Sequence, residues 1–136
     1  MIPGLLALGI TAAIPGAALA GEEKPEADFT LGAYSQYVWR GFAFSDNSLV
    51  LQPSLTVAYK GFGVNLWGNL DTDEKGLDTS NWNETDMTVS YDGSAGMVGY
   101  GVGWILYSVD GAEDTQELYA SVSVDTILAP TLTYYA

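Results

Sequence analysis

Residues 62–71, Phe-Gly-Val-Asn-Leu-Trp-Gly-Asn-Leu-Asp, divide cleanly by parity. Phe62, Val64, Leu66 and Leu70 fall on one side, and Gly63, Asn65, Trp67, Asn69 and Asp71 on the other. Successive side chains of an extended chain point to opposite faces, so this stretch is a strand with one oily and one polar face. The period of two returns along the chain. In residues 29–42, Phe29, Leu31, Ala33, Tyr37 and Trp39 oppose Thr30, Gly32, Tyr34, Gln36 and Arg40. In residues 49–60, Leu51, Pro53, Leu55, Val57 and Tyr59 oppose Gln52, Ser54, Thr56 and Ala58; Pro53 there calls for an edge, a bulge or a strand end. Thr85, Met87, Val89 and Tyr91 oppose Glu84, Asp86, Thr88 and Ser90. Residues 97–109 set Val98, Tyr100, Val102, Trp104 and Leu106 against Gly99, Gly101, Gly103, Ile105 and Tyr107, where the glycines leave room for something bulky or for curvature. Residues 116–125 set Leu118, Ala120, Val122 and Val124 against Glu117, Tyr119, Ser121 and Ser123, and residues 130–136 begin a seventh strand.

Alternation also describes a soluble sheet with one wet face. Two regularities narrow it. The links after the second, fourth and sixth strands (60–61, 92–96, 126–129) are short, whereas those after the first, third and fifth (43–48, 72–83, 110–115) are longer and mostly acidic. Short turns at one end and long loops at the other describe bacterial outer-membrane barrels. Tyr or Trp also recurs on the oily face, at Tyr37, Trp39, Tyr59, Tyr91, Trp104 and Tyr134, as a membrane-interface girdle requires. The expected fold is therefore all-β: an antiparallel up-and-down meander of six strands and the start of a seventh, forming part of a transmembrane β-barrel. Single-chain bacterial barrels have an even strand number from about eight upward. An open sheet edge cannot face lipid, because each unpaired amide costs several kcal/mol. The expectation is that strands beyond residue 136, or further chains, complete the barrel, truncation being preferred.

Ahead of the strands, residues 1–20 read as a cleaved secretory signal. Residues 5–14 form a short apolar run, and Ala18-Leu19-Ala20 supplies small residues before Gly21. Pro3 and Pro15 break it too often for a membrane-spanning helix. Residues 21–28 form a charged leader, and residues 29–136 the barrel domain.

Composition excludes several function classes. The net charge of −13, with Lys24, Arg40, Lys60 and Lys75 the only basic residues, leaves nothing to neutralise nucleic-acid phosphates. No cysteine or histidine is present, which removes disulfides, thiolate chemistry and the commonest metal ligand and general base. Ser35, Ser45 and Ser90 have no His to activate them, so a triad hydrolase is excluded. Glu84, Asp86 and Glu117 read as lumen charges rather than as a glycosidase pair. Residues 71–78 begin like a calcium loop, but Lys75 and Trp82 occupy ligand positions, so no metal site and no cofactor are expected.

The stretch Ser35-Gln36-Tyr37-Val38-Trp39-Arg40-Gly41-Phe42-Ala43-Phe44-Ser45-Asp46-Asn47 resembles the N-terminal signature of the TorF-like porin family of proteobacterial outer membranes. Residues 61–64 and Trp67 resemble that family's second hairpin. The resemblance covers about the first third of the mature chain, and the chain is short for such a porin, with no basic residue opening its signal. It implies an outer-membrane β-barrel with a channel role and no catalytic residues.

The expected function is a porin of the bacterial outer membrane that passes small hydrophilic solutes with a mild cation preference. Arg40, Glu84, Asp86, Glu117, Asn65 and Asn69 are the candidate lumen or constriction residues. Arg40 is the lone arginine, with Asp86, Glu84 or Glu117 as partners across the lumen, or it fixes the first hairpin as a rim salt bridge. The expected partners are outer-membrane lipid, lipopolysaccharide (bridged to the acidic loop by divalent cations) and the solutes themselves, with a homo-oligomer left open. Two other readings compete. In one, a non-conducting structural or adhesion barrel is plugged by Tyr34, Trp67, Tyr107 and Tyr119. In the other, a soluble exported lipocalin-like barrel turns Leu66, Val89 and Val102 inward around an apolar ligand.

Overall fold

The computed structural model describes residues 24–73 and 81–136. Their strands are β1 (Glu26–Tyr34), β2 (Val38–Trp39), β3 (Phe42–Ala43), β4 (Val50–Tyr59), β5 (Phe62–Asp71), β6 (Asn81–Ala95), β7 (Val98–Val109), β8 (Thr115–Val124) and β9 (Thr131–Tyr135). β1 and β4 to β9 make one seven-stranded antiparallel meander in sequence order, and β2 and β3 make a separate two-stranded hairpin. The signal expected in residues 1–20 lies outside the described residues, as does most of the calcium-like loop. β1 and β9 are the edges, and no ladder joins them among the described residues, so the sheet is not a closed barrel.

Local chemistry sets the turns. Lys60 (φ 51°) and Gly61 (φ 85°) form the two-residue link between β4 and β5, with Tyr59 opposite Phe62. Two successive positive φ values match the type I′ turn, whose twist suits a hairpin. Arg40 (φ 46°) and Gly41 (φ 87°) repeat the arrangement between β2 and β3, with Trp39 opposite Phe42.

Three sequence expectations need correction. The first strand is shifted: β1 begins at Glu26, inside the expected charged leader, and stops at Tyr34, and residues 38–43 turn back on themselves at Arg40-Gly41. β6 continues through residues 92–95, expected as a turn, because Asp92, Gly93, Ser94 and Ala95 pair with Gly101, Tyr100, Gly99 and Val98. A Cβ on Gly93 would sit 2.6 Å from the Tyr100 hydroxyl, so glycine lets that ring lie across the neighbouring strand. Pro53 lies at neither an edge nor a bulge. β4 is flanked by β1 and β5, and its ladder to β5 skips Gln52 and Pro53, which accommodates an imino acid without an N–H.

Register carries the parity of each strand across the sheet. One row runs Val57, Val64, Val89, Trp104, Leu118, and the next Leu55, Leu66, Met87, Leu106, Gln116. This face is solvent-accessible: Phe62 is 64% exposed, Val64 45%, Leu66 47% and Val102 53%. The opposite face has rows Ser54, Trp67, Asp86, Tyr107, Thr115 and Thr56, Asn65, Thr88, Ile105, Glu117. Burial is inverted relative to a soluble domain. Among the described residues Val50 is the sole buried hydrophobic, while Ser45, Ser48, Asn69, Asp71 and Glu84 are buried polar residues.

Candidate functional site: the inner face and its hairpin

The hairpin of β2 and β3 lies against the polar face of the sheet. Tyr37 packs on Trp67 of β5 at 5.7 Å between ring centroids and lines one cavity with Glu84 of β6. Trp39 meets Tyr107 of β7 edge-on at 6.1 Å. Arg40 reaches Glu117 on β8, and its guanidinium lies 4.9 Å from the Tyr135 ring centroid on β9. Strands sit about 4.8 Å apart, so β5 to β9 laid flat would span about 19 Å. A few residues touching all of them require the sheet to curl around the hairpin. The polar face is therefore the inner one, and the oily face looks outward.

Arg40 is fixed from two directions. Nη1 donates to Glu117 Oε1 at 2.9 Å and Nη2 to Oε2 at 2.8 Å, a bidentate fork. Its guanidinium also stacks over Trp39 at 4.3 Å. The hydrogen bonds to Glu117 raise its pKa above the ordinary arginine value, so the charge is permanent. Of the three carboxylates considered for Arg40, Glu117 is the partner. Tyr107 also donates to Glu117 Oε2 at 2.8 Å. Burial first, then the adjacent Glu84 charge, hold the Tyr37 hydroxyl above the ordinary phenol value, which keeps it a proton donor at neutral pH. The hairpin is closed at its base by the Ser45 hydroxyl, which accepts from the Tyr37 amide at 2.6 Å.

The other expected lumen residues are inner-face residues too. Asn65 Nδ2 donates to Ser54 Oγ at 2.7 Å and to Thr56 Oγ1 at 2.8 Å. Asn69 is fully buried: its Oδ1 accepts from Gln52 Nε2 at 3.0 Å, and its Nδ2 donates to Asn83 Oδ1 at 2.8 Å. Asp86 shares the row of Trp67 and Tyr107. Glu26, Asp28, Asp71 and Asp92 fall on the same face by register. The inner face is thus strongly acidic, with Arg40 the cation that reaches into it. Tyr34, Trp67, Tyr107 and Tyr119 are inner as well, and the Tyr119 ring lies over Gly103, so the room left by that glycine is filled from the next strand.

The girdle expectation divides. Tyr59, Tyr91 and Tyr134 share an outer row with Phe62, Val102 and Ala120 at the short-turn end, and Trp104 is outer. Tyr37 and Trp39 are not on the outer face. The alternation of β1 ends at Tyr34, and the bend at residues 35–36 carries both rings inward. An outer aromatic that alternation did not reveal is Trp82, expected in a loop, whose ring covers Gly68 at the opposite end. Both outer indoles are satisfied laterally: Trp82 Nε1 donates to Thr85 Oγ1 at 2.7 Å and Trp104 Nε1 to Gln116 Oε1 at 3.0 Å. The hairpin itself had a readable signal. Arg40-Gly41 repeats the basic-residue–glycine pair of Lys60-Gly61, the turn at the sheet's tightest link.

Among the described residues no cluster of carboxylates is arranged to hold a metal ion. No curated protein and no solved structure matches the chain. Residues 22–136 match the model of a family described as bacterial proteins of unknown function (Gcw_chp), and the chain belongs to that family.

Proposed function

We propose that this chain forms the wall and constriction of an outer-membrane β-barrel that passes small hydrophilic solutes and favours cations. The observation that carries the reading is the inverted distribution of polarity. The outer rows from β1 to β9 bear no Asp, Glu, Lys or Arg, while the inner face gathers Asp71, Glu84, Asp86, Asp92 and Glu117. Exposing that much apolar surface to water is unfavourable at about 25 cal/mol per Å², and exposing it to hydrocarbon is not. β4, β5 and β8 are each 10 residues long, within the range of about 9–11 that a tilted strand needs to cross a bilayer. Tyr59, Phe62, Tyr91 and Tyr134 at one end and Trp82 at the other fit interfacial anchors. The resemblance of residues 35–47 to TorF-like porins points the same way. The outward aspect of Leu66, Val89 and Val102 counts against a lipocalin-like ligand barrel. The reading requires the edges of β1 and β9 to be paired within the membrane, for which a second copy of the chain is one partner.

A hairpin lying in the interior also favours the second reading, a barrel too occluded to conduct. One experiment separates the two. The protein is refolded into planar bilayers under a salt gradient. Discrete conductance with a reversal potential on the cation-selective side is the expected result. Folded, inserted protein without conductance refutes the channel and leaves the structural barrel.

A further inference from the structure

Beneath the hairpin is a cavity of about 320 Å³, at the lower end of the range for small-ligand pockets. Its walls are the rings of Tyr37, Trp39, Phe44 and Tyr107, and the carboxylates of Glu84 and Glu117 border it. The rings form a connected series: Tyr37 to Phe44 at 5.4 Å, Phe44 to Trp39 at 6.1 Å and Trp39 to Tyr107 at 6.1 Å. Aromatic faces carry negative potential, and a carboxylate beside them adds full charge. The Trp39 ring already stacks with one cation, the Arg40 guanidinium at 4.3 Å from its centroid.

The charges do not cancel. Glu117 is matched by Arg40, whereas no Lys or Arg among the described residues pairs with Glu84, whose neighbour in the cavity wall is the Tyr37 ring. The cavity therefore sets the Glu84 side chain opposite aromatic rings. We propose that it binds a small organic monocation, a substituted ammonium whose alkyl groups pack on the rings while its charge faces Glu84. A bare metal ion fits poorly, since rings do not replace its hydration oxygens. A substituted ammonium has a weakly held hydration shell and gains apolar contact. The inference deepens the channel reading, and rests on it for the site's meaning as a stopping point on the solute path.

The test uses the full chain refolded in a polyoxyethylene detergent, which brings no choline headgroup, with folding checked by heat-modified gel mobility. Tetramethylammonium, its neutral isostere tert-butanol and glucose are titrated by calorimetry at constant ionic strength. Saturable binding of tetramethylammonium at millimolar concentration, with no saturation by the other two, is expected. Trp39→Leu and Glu84→Gln are each expected to weaken it roughly tenfold, and Thr133→Ala, remote from the cavity, to leave it unchanged. Equal binding of tert-butanol, preferential binding of glucose, or no binding of the cation by folded wild-type protein overturns the proposal without recourse to any variant. Cation-selective conductance without tetramethylammonium binding refutes this site alone. Binding without conductance refutes the channel alone.

Discussion

Asn69 shows what holds a sheet whose interior is polar. Its side chain is fully buried and links Gln52 on β4 to Asn83 on β6. With Val50 the one buried hydrophobic among the described residues, such side-chain bridges take over the role that apolar packing has in a soluble domain. Asn69→Ala removes an acceptor and a donor together, leaving Gln52 Nε2 and Asn83 Oδ1 without these partners. A buried polar group left unsatisfied costs about 1–3 kcal/mol. Urea unfolding from detergent is expected to show a loss of that order, whereas Ser94→Ala, on an exposed part of β6, is expected to stay close to wild type. The inner position of Asn69 was legible from parity, because its neighbours Gly68 and Leu70 belong to the other face. Its partners were not. The bulge in β6, which pairs Asn69 with Glu84 and Leu70 with Trp82, brings Asn83 opposite the Asn69 side chain, and no periodicity announces a bulge.

At the scale of the element, the hairpin of β2 and β3 and the link between β4 and β5 use the same turn in different surroundings. Gly61 (φ 85°) sits under its neighbours, and a Cβ there would lie 2.6 Å from the Asp92 carbonyl oxygen. Gly41 (φ 87°) has nothing within 4 Å of its would-be Cβ. Alanine at either position adopts an unfavourable φ, at about 1–3 kcal/mol, but only at Gly61 does it also collide with backbone. Gly61→Ala is therefore expected to lower the urea midpoint of the whole sheet. Gly41→Ala is expected to leave that midpoint nearly unchanged and to loosen the hairpin, seen as larger or noisier single-channel conductance. Equal midpoints for the two variants would refute the assignment of one turn to the wall and the other to an inserted element. The contrast also explains what sequence reading reached. Strands that pair along their whole length repeat a period of two, so β5 was legible to its end residues. The hairpin alternates as well, but it packs by its tip and rings, and period alone cannot report that a chain has left the sheet.

At the scale of the molecule, a membrane barrel would set the oily face in hydrocarbon and the polar face in water. Val64 and Asn65 are adjacent residues of β5 with opposite parity, and each is flanked on both sides by neighbouring strands. Val64 lies in the outer row with Val57 and Val89, and Asn65 in the inner row with Thr56 and Thr88. A lysine on a lipid-facing position near the bilayer midplane costs about 2–4 kcal/mol, while substitutions on the lumen face chiefly tune selectivity. Val64 stands two residues from the Phe62 anchor row, between interface and midplane, so Val64→Lys is expected to impair folding into liposomes by about 1–2 kcal/mol, measured as the denaturant midpoint of the inserted form. Asn65→Lys is expected to insert normally and to shift the reversal potential toward anions, because it adds a positive charge opposite an acidic wall. In water the order reverses. An exposed outer lysine would be harmless or even solubilising, and a lysine on the half-buried inner face would meet the desolvation that burial imposes on a charge. Two neighbouring substitutions thus decide, through the sign of a single difference, which solvent the oily rows were built for.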